Sequence, residues 1–152
     1  MHKSLLLVLL LVAGVQTGHA QSAEDSVKTT IGNLFSAMRN ADGKAVMFCF
    51  ADSAIMQTIA RNKEGEAVIR NEKPANFATA MGSMPKMAAD ERISFEVVKV
   101  DGALAIAWTP YLFYYNGKFS HCGVNSFQLV RQNGTWKIQY LIDTRRKQGC
   151  KE

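Results

Sequence analysis

His121 is the residue of this chain best suited to acid/base chemistry. The other two histidines, His2 and His19, fall in an N-terminal segment that we expect to be removed. An imidazole with an ordinary pKa of about 6.5 can accept or donate a proton at neutral pH. Asn125, four residues further along, could orient a ligand carbonyl group. We favour structural alternatives for both: a hydrogen-bonded histidine without a catalytic role, and an asparagine that satisfies backbone groups.

Three glycine-containing pairs would set the geometry around these two residues. Asn116-Gly117 and Asn133-Gly134 separate runs rich in aromatic and β-branched residues, and Asp101-Gly102 lies just upstream. Such pairs favour two-residue hairpin turns, because Asn, Asp and Gly tolerate positive φ. The pattern therefore predicts four consecutive antiparallel strands, with the register fixed at each turn unless Pro110 or Gly123 marks a bulge.

The predicted register brings aromatic and polar side chains together on one face of these strands. Facing residues of a two-residue hairpin have a constant index sum, which pairs Trp108 with Asn125 and Leu112 with His121. Polar groups that converge on a partly apolar surface are what a small-molecule pocket needs. The predicted ligand pocket consists of Trp108, Leu112, Tyr114, His121, Asn125, Tyr140 and Thr144.

The opposite face is apolar as well, which predicts a homodimer through the outer face of the sheet. In the same register Asp143 also points away from His121, so an Asp-His dyad would require a β-bulge. The residues predicted on this outer face are Ala105, Ala107, Thr109, Tyr111, Phe113, Val124 and Leu141.

The three cysteines predict one disulfide and one free thiol. Cys122 and Cys150 are the expected pair, because the C-terminal tail would run back past the strand that holds Cys122. Cys49 lies in an apolar run and is expected to be a buried thiol. The chain has no CxxC pair or His/Cys ligand spacing, so no metal site and no cofactor are predicted.

The N-terminus predicts export. Lys3 precedes a continuous apolar run over residues 5–12, and Gly18-His19-Ala20 provides the small residues of a signal-peptidase site. We expect residues 1–20 to be a signal peptide, with cleavage before Gln21, and periplasmic and secreted locations both stay open. The apolar run is too short for a membrane span.

The formal net charge of +5 is mildly basic. Part of the excess lies in Arg145, Arg146, Lys147 and Lys151. A short basic run at the end of a strand is more typical of a solvated tail than of a nucleic-acid site. We therefore predict no nucleic-acid partner.

Residues 21–152 are expected to form one α+β domain that ends in the short basic tail. Apolar spacing predicts a helix over residues 25–40, a short helix over residues 44–48, and a third helix from Pro74 to about Met81. These helices would pack on a sheet of about six strands, which is mostly antiparallel and bent around them. The predicted strands are residues 54–61, 66–70, 91–100, 103–115, 118–131 and 135–143.

With this element order, the chain resembles the nuclear-transport-factor-2-like superfamily. Two segments carry the resemblance: FADSAIMQTI over residues 50–59 and FQLVRQNGTWKIQYLID over residues 127–143. The second is similar to the closing hairpin of polyketide-cyclase-like and putative lumazine-binding members, with Gly134, Trp136 and Ile138 in a Gly-x-Trp-x-Ile pattern. The resemblance implies a cone of helices and sheet with a pocket at its open end, and in many members a dimer through the sheet. It supplies no catalytic residues that can be transferred position by position.

Three functions therefore remain, and the sequence leaves open whether the protein is an enzyme. The first is an exported domain that binds a small, partly aromatic molecule. The second is a lyase or isomerase that uses His121 as its general acid/base. The third is a dimeric interaction module with a vestigial pocket.

Overall fold

The structure, a computed structural model, describes residues 22–150. The predicted signal peptide and Lys151 lie outside the described residues. Three helices occupy the N-terminal half, and each lies within a few residues of its predicted position. Ser22 caps the first helix by accepting a hydrogen bond from the Asp25 backbone N–H at 3.0 Å. The helices are α1 (Ala23–Arg39), α2 (Gly43–Phe48) and α3 (Pro74–Gly82).

The strands form one bent, open sheet of seven members in the order β2-β1-β7-β6-β5-β3, with β4 also paired to β5. Only β1 and β7 are parallel; all other pairs are antiparallel. The predicted α+β class is confirmed. The strands are β1 (Phe50–Arg61), β2 (Ala67–Glu72), β3 (Ala89–Ile93), β4 (Val97–Asp101), β5 (Leu104–Tyr115), β6 (Lys118–Gln132) and β7 (Thr135–Thr144).

The seventh strand arises because the predicted strand over residues 91–100 is divided in two. A short bend separates β3 from β4, and both pair with the long strand β5. Across the bend, the backbone N–H groups of Ser94 and Glu96 donate to the carbonyls of Pro110 and Trp108. The bend lets one long strand pair with two short strands, one after the other.

Both Asn-Gly turns form as predicted. Asn116 and Asn133 have φ of 50° and 48°, and the glycine after each also has positive φ. The third turn differs by one position: Asp101 pairs with Leu104, so the loop consists of Gly102 and Ala103.

The register of β5 against β6 departs from the prediction a few residues beyond its turn. Tyr115 faces Lys118 and Tyr114 faces Phe119, but Phe113 faces His121. Ser120 is thus an extra residue in β6, a β-bulge that reverses which β5 side chains share a face with β6. The predicted bulge positions, Pro110 and Gly123, are regularly paired.

A second bulge shifts β6 against β7. Leu129 faces Ile138 as predicted, but Gln128 faces Tyr140, so Gln139 is the extra residue. Beyond this point Asn125 faces Asp143. The consequence is that Asp143, expected on the far face, shares the inner face with Asn125.

The core lies between α1 and the inner face of the sheet. Phe35 of α1 meets Phe127 of β6 edge-to-face, with ring centroids 6.3 Å apart. Ala105 and Ala107, which were predicted on the outer face, are buried here. Small side chains at these two positions let the helix approach the sheet. The largest fully buried core side chains are Phe127, Ile31, Leu34, Leu129, Ile138, Val27 and Val46.

The C-terminal tail folds back onto β6. Cys122 and Arg146 exchange two backbone hydrogen bonds of 2.9 Å, and a disulfide joins Cys122 to Cys150. Cys49 is a free, buried thiol, and its burial raises its pKa. None of the helices in residues 22–150 is long and apolar enough to cross a membrane.

Candidate functional site

A cavity of about 550 Å³ opens between the helices and the inner face of the sheet. Apolar side chains form most of its wall, and a group of polar side chains lies together on the strands. Strand β2, whose cavity-lining residues are exposed, supplies the rim. The apolar lining consists of Leu34, Phe35, Met38, Met56, Ala60, Phe77, Met81, Met84, Phe113 and Leu141.

Glu91 and Asn125 form the first polar pair of the cavity. The Asn125 amide Nδ2 donates to Glu91 Oε1 at 2.8 Å, and Asn125 itself is only 4% exposed. Glu91 is partly exposed as a residue, but its carboxyl group is buried. Desolvation raises the pKa of Glu91 to about 7, and the negative charge of Asp143 adds to the effect. The Asn125 bond and the charge of Arg145 act in the opposite direction.

Asp143 is the centre of a second polar group. Its carboxylate accepts hydrogen bonds from Thr58 Oγ1 at 2.5 Å, the Tyr111 hydroxyl at 3.1 Å and Arg145 Nε at 2.9 Å. Arg145 also donates to the Thr58 hydroxyl at 3.2 Å. Asp143 is 7% exposed and its charge is paired, so this group is a preorganised polar surface.

Tyr111 is held between this group and the end of β7. Its hydroxyl lies 2.9 Å from the Thr144 carbonyl oxygen as well as 3.1 Å from Asp143. Burial and the nearby carboxylates raise the pKa of Tyr111. Gly123 makes the arrangement feasible, because a Cβ there would overlap the Thr144 carbonyl and press on the Tyr111 ring.

His121 lies at the edge of these polar groups. Its ring packs edge-to-face on Tyr111, with centroids 5.7 Å apart, and tilts against Phe113 at 4.9 Å. Its Nδ1 lies 3.1 Å from the Ser120 hydroxyl. Desolvation and the charge of Arg145 lower the pKa of His121, which makes the neutral imidazole the form present at pH 7.

The structure brings only part of the predicted pocket together. His121 and Asn125 line the cavity, whereas Trp108, Leu112 and Tyr114 occupy the other face of β5. The bulge at Ser120 is the reason, because it moved the odd-numbered β5 residues, including Tyr111 and Phe113, to the inner face. Trp108 is 45% exposed.

The two predicted residues of β7 also lie outside the cavity. The bulge at Gln139 turns Tyr140 to the outer face, where its hydroxyl donates to Gln57 Oε1 at 2.6 Å. Thr144 accepts a hydrogen bond from the Val124 backbone N–H at 3.2 Å through its hydroxyl. Both side chains act in strand pairing.

Glu91, Tyr111, Asp143 and Arg145 were missed as site residues. Glu91 fell at the start of a strand whose turn register was displaced, and Arg145 was assigned to a solvated tail. Only the possible bulge pointed to Asp143, since an Asp on the inner face next to Asn125 follows directly from one extra residue in β7.

Comparison with solved structures identifies the architecture. An NTF2-like protein of unknown function from Shewanella baltica OS155 superimposes with a TM-score of 0.62 at 10% identity, over 80% of this chain and 91% of that one. A second, from Silicibacter pomeroyi DSS-3, gives 0.61 at 16% identity, over 80% and 93%. This chain has the nuclear-transport-factor-2-like fold. A cystatin-like-fold protein of unknown function from Nostoc punctiforme PCC 73102 gives 0.64 at 13% identity, over 84% and 95%.

These identities establish the nuclear-transport-factor-2-like fold and nothing narrower. No protein-family model matches the sequence, and no curated protein matches it. The resemblance inferred from the sequence is thereby confirmed for the fold, while the polyketide-cyclase-like and lumazine-binding-like subtypes stay predictions.

In this nuclear-transport-factor-2-like domain, the site must be interpreted from its own residues. Over residues 22–150, no three His, Cys, Asp or Glu side chains converge as a metal site would require. The cavity offers an apolar wall, one carboxylate whose pKa lies near neutrality, a neutral imidazole and a paired Asp-Arg surface. These groups suit recognition of a small molecule that has an apolar body and one polar end.

Proposed function

We propose that the protein binds a small, partly aromatic molecule in the cavity, with binding rather than turnover as its activity. The observation that carries this proposal is the division of the cavity into an apolar wall and a polar end at Glu91 and Asn125. A volume of about 550 Å³ falls in the usual range for small-molecule sites.

A thermal-shift screen against aromatic, heteroaromatic and steroidal metabolites tests this proposal. A bound ligand stabilises only the folded state and therefore raises the melting temperature. The shift should be lost in Phe113→Ala, which removes part of the wall, and kept in Trp108→Ala, which removes a ring of similar type from the outer face. A shift lost equally in both variants would argue against binding in the cavity.

A second candidate function is a lyase or isomerase. It is favoured by Glu91, because a cavity carboxyl with a pKa of about 7 can exchange protons at neutral pH. His121 is the other acid/base candidate, but no carboxylate in the described part of the chain orients its ring. Once a ligand is known, turnover should fall by about two to four orders of magnitude in Glu91→Gln if this function holds. His121→Gln measures the contribution of the imidazole separately.

Export belongs to the same proposal. The Cys122–Cys150 disulfide supports it, because such bonds persist in oxidising compartments. N-terminal sequencing of the protein recovered outside the cytoplasm should begin at Gln21. A product that keeps residues 1–20 would contradict cleavage.

The outer face of the sheet supports a homodimer, with a different set of residues from the predicted one. Trp108 stands opposite Val97, and Ile106 and Leu104 follow on the same face of β5. All four are at least 40% exposed, and the facing β6 residues Ser126 and Gln128 carry no charge. A second copy of this face would cover the apolar stripe, with the charged residues Lys99 and Asp101 opposite Ile106 and Leu104 along its β4 border. Light scattering should give twice the monomer mass for the wild type and the monomer mass for Ile106→Lys.

A further inference from the structure

Glu91 differs from the other carboxylates enclosed near the sheet in having no cationic partner. Asp90 bridges Arg92 at 2.9 Å and Arg39 at 3.6 Å, and Asp143 bridges Arg145 at 2.9 Å. Within residues 22–150, no Lys, Arg or His nitrogen lies within 4.0 Å of the Glu91 carboxylate. Its hydrogen bond comes from the neutral Asn125 amide. An enclosed carboxylate with no cation in direct contact leaves a position that a ligand cation can fill.

The charge of the whole cavity lining points the same way. The lining holds two cations, Arg70 and Arg145, and three carboxylates, Glu72, Glu91 and Asp143. His121 is neutral because burial and Arg145 lower its pKa. When Glu91 is ionised, the lining therefore carries one net negative charge, and the carboxylate without a cation in contact is Glu91.

The walls are also suited to a cation. Aromatic rings attract ammonium groups through the negative face of their π-systems, within about 6 Å of the ring centroid. Arg145 already donates to Asp143 and Thr58, so Asp143 balances its positive charge. The aromatic side chains of the lining are Phe35, Phe77, Tyr111, Phe113, Tyr115 and His121.

We propose that the ligand of this cavity is an amine with an apolar or aromatic body, whose protonated nitrogen pairs with the Glu91 carboxylate. This inference rests on the proposed binding function and specifies the chemical class of its ligand. The protonated nitrogen would lie beside Asn125 and pair with Glu91. Arg92 pairs with Asp90 in this way, and Arg145 pairs with Asp143. The apolar body would lie against the methionines and phenylalanines of α1 and α3.

A matched ligand set tests the proposal: naphthylethylamine, naphthylethanol and naphthylacetate. Each is titrated by calorimetry at about pH 7.5, roughly half a unit above the pKa of Glu91, so that this carboxylate is mostly ionised. The three share one ring system and chain length and differ in the charge of the end group. The amine should bind at least about tenfold more tightly than the alcohol, and the acetate most weakly. Glu91→Gln should remove this preference, whereas Glu64→Gln, a control at an exposed carboxylate outside the cavity lining, should keep it.

The other outcomes are distinguishable. Equal binding of the three, or tighter binding of the acetate, would overturn the amine proposal and leave the binding function intact. A preference that persists in Glu91→Gln would also overturn it, because the ammonium group would then be recognised elsewhere. Absence of binding by all three at millimolar concentration would remove both proposals.

A measurement on the wild type covers the case in which Glu91→Gln does not fold. The ¹³C resonance of the Glu91 side-chain carboxyl should move when the amine saturates the protein and stay in place with the alcohol. If the resonance is unmoved by a bound amine, the ion pair is absent and the proposal fails.

Discussion

Glu91 couples the folding of this domain to pH, because its carboxyl changes environment when the chain unfolds. Its pKa is about 7 in the folded protein, against an ordinary value of 4.5. Between these two values the folded state binds more protons than the unfolded state, so the free energy of unfolding falls as pH rises. The destabilisation is complete above the folded pKa and absent below the unfolded one.

We predict that Glu91→Gln will be more stable than the wild type at about pH 8, by up to about 3 kcal/mol, and not at about pH 4. Glutamine keeps an oxygen that can accept from Asn125 but cannot ionise. Urea unfolding of both proteins across this pH range measures the difference. His121, whose lowered pKa gives the opposite slope, is common to both proteins and cancels.

The matched control is Glu72→Gln, which removes an exposed carboxylate from the same cavity. This control isolates the effect of removing one carboxylate from the cavity. A Glu91→Gln difference that does not change with pH would show that the folded protein does not raise the pKa of Glu91.

At the scale of the elements, the helices, the two Asn-Gly turns and most of the strands could be predicted from the sequence, but the sheet faces could not. Periodicity and the Asn-Gly pairs depend on a few neighbouring residues, so they survive any tertiary context. The side of the sheet on which a side chain lies depends on every residue between it and the turn, because one extra residue reverses the alternation. One extra residue at Ser120 and another at Gln139 reversed the assignment of the site.

Strand β5 shows why the hydrophobic pattern could not reveal the error. Its even positions carry Leu104, Ile106 and Trp108, and its odd positions carry alanines and then larger residues. Both faces are apolar, and the bulkier one was taken as core. In the structure the alanines make room for α1, and the bulky side chains remain on the outer face. Asn125 and His121 belong to β6, so alternation along β6 itself puts them on the inner face, and an error in the β5 register does not move them.

Strand β6 lies very close to the end of β7 at Gly123. Gly123→Ala should lower the free energy of unfolding by about 2–4 kcal/mol, because its Cβ would overlap the backbone of Thr144. The matched substitution Gly32→Ala lies on an open side of α1, where a Cβ meets no atom within 4 Å. It should stabilise the protein by up to about 1 kcal/mol. Denaturant titration of both variants measures the contrast, and equal effects would contradict the close approach.

The tail that carries Arg145 is fixed to β6 by the disulfide. Cys150→Ser should cost about 3–4 kcal/mol, as expected for a link that closes a segment of 28 residues. The wild type in reducing buffer should lose the same amount, since the same bond is opened without a substitution. A variant as stable as the oxidised wild type would show that backbone pairing between Cys122 and Arg146 suffices to hold the tail.

At the scale of the whole molecule, this fold recurs in solved structures that share only 10–16% sequence identity with the chain. A bent sheet and a layer of helices can enclose a cavity with many different linings. Under the proposed binding function, the polar groups on the strands would select the ligand, with Glu91 and Asp143 setting which ligand charge is favoured.

A homodimer through the outer face of the sheet would make the stability of the molecule depend on its concentration. If a second copy covers Trp108, Ile106 and Leu104, dissociation accompanies unfolding, and the melting temperature must rise with protein concentration. Scanning calorimetry of the wild type over a roughly hundredfold range of protein concentration should show this rise. Ile106→Lys should remove the dependence, because each lysine would bury its charge against the partner. Lys99→Arg, a substitution opposite Ile106 that preserves charge, should retain it. A melting temperature independent of concentration in the wild type would mean that the apolar face stays in solvent in the unmodified protein.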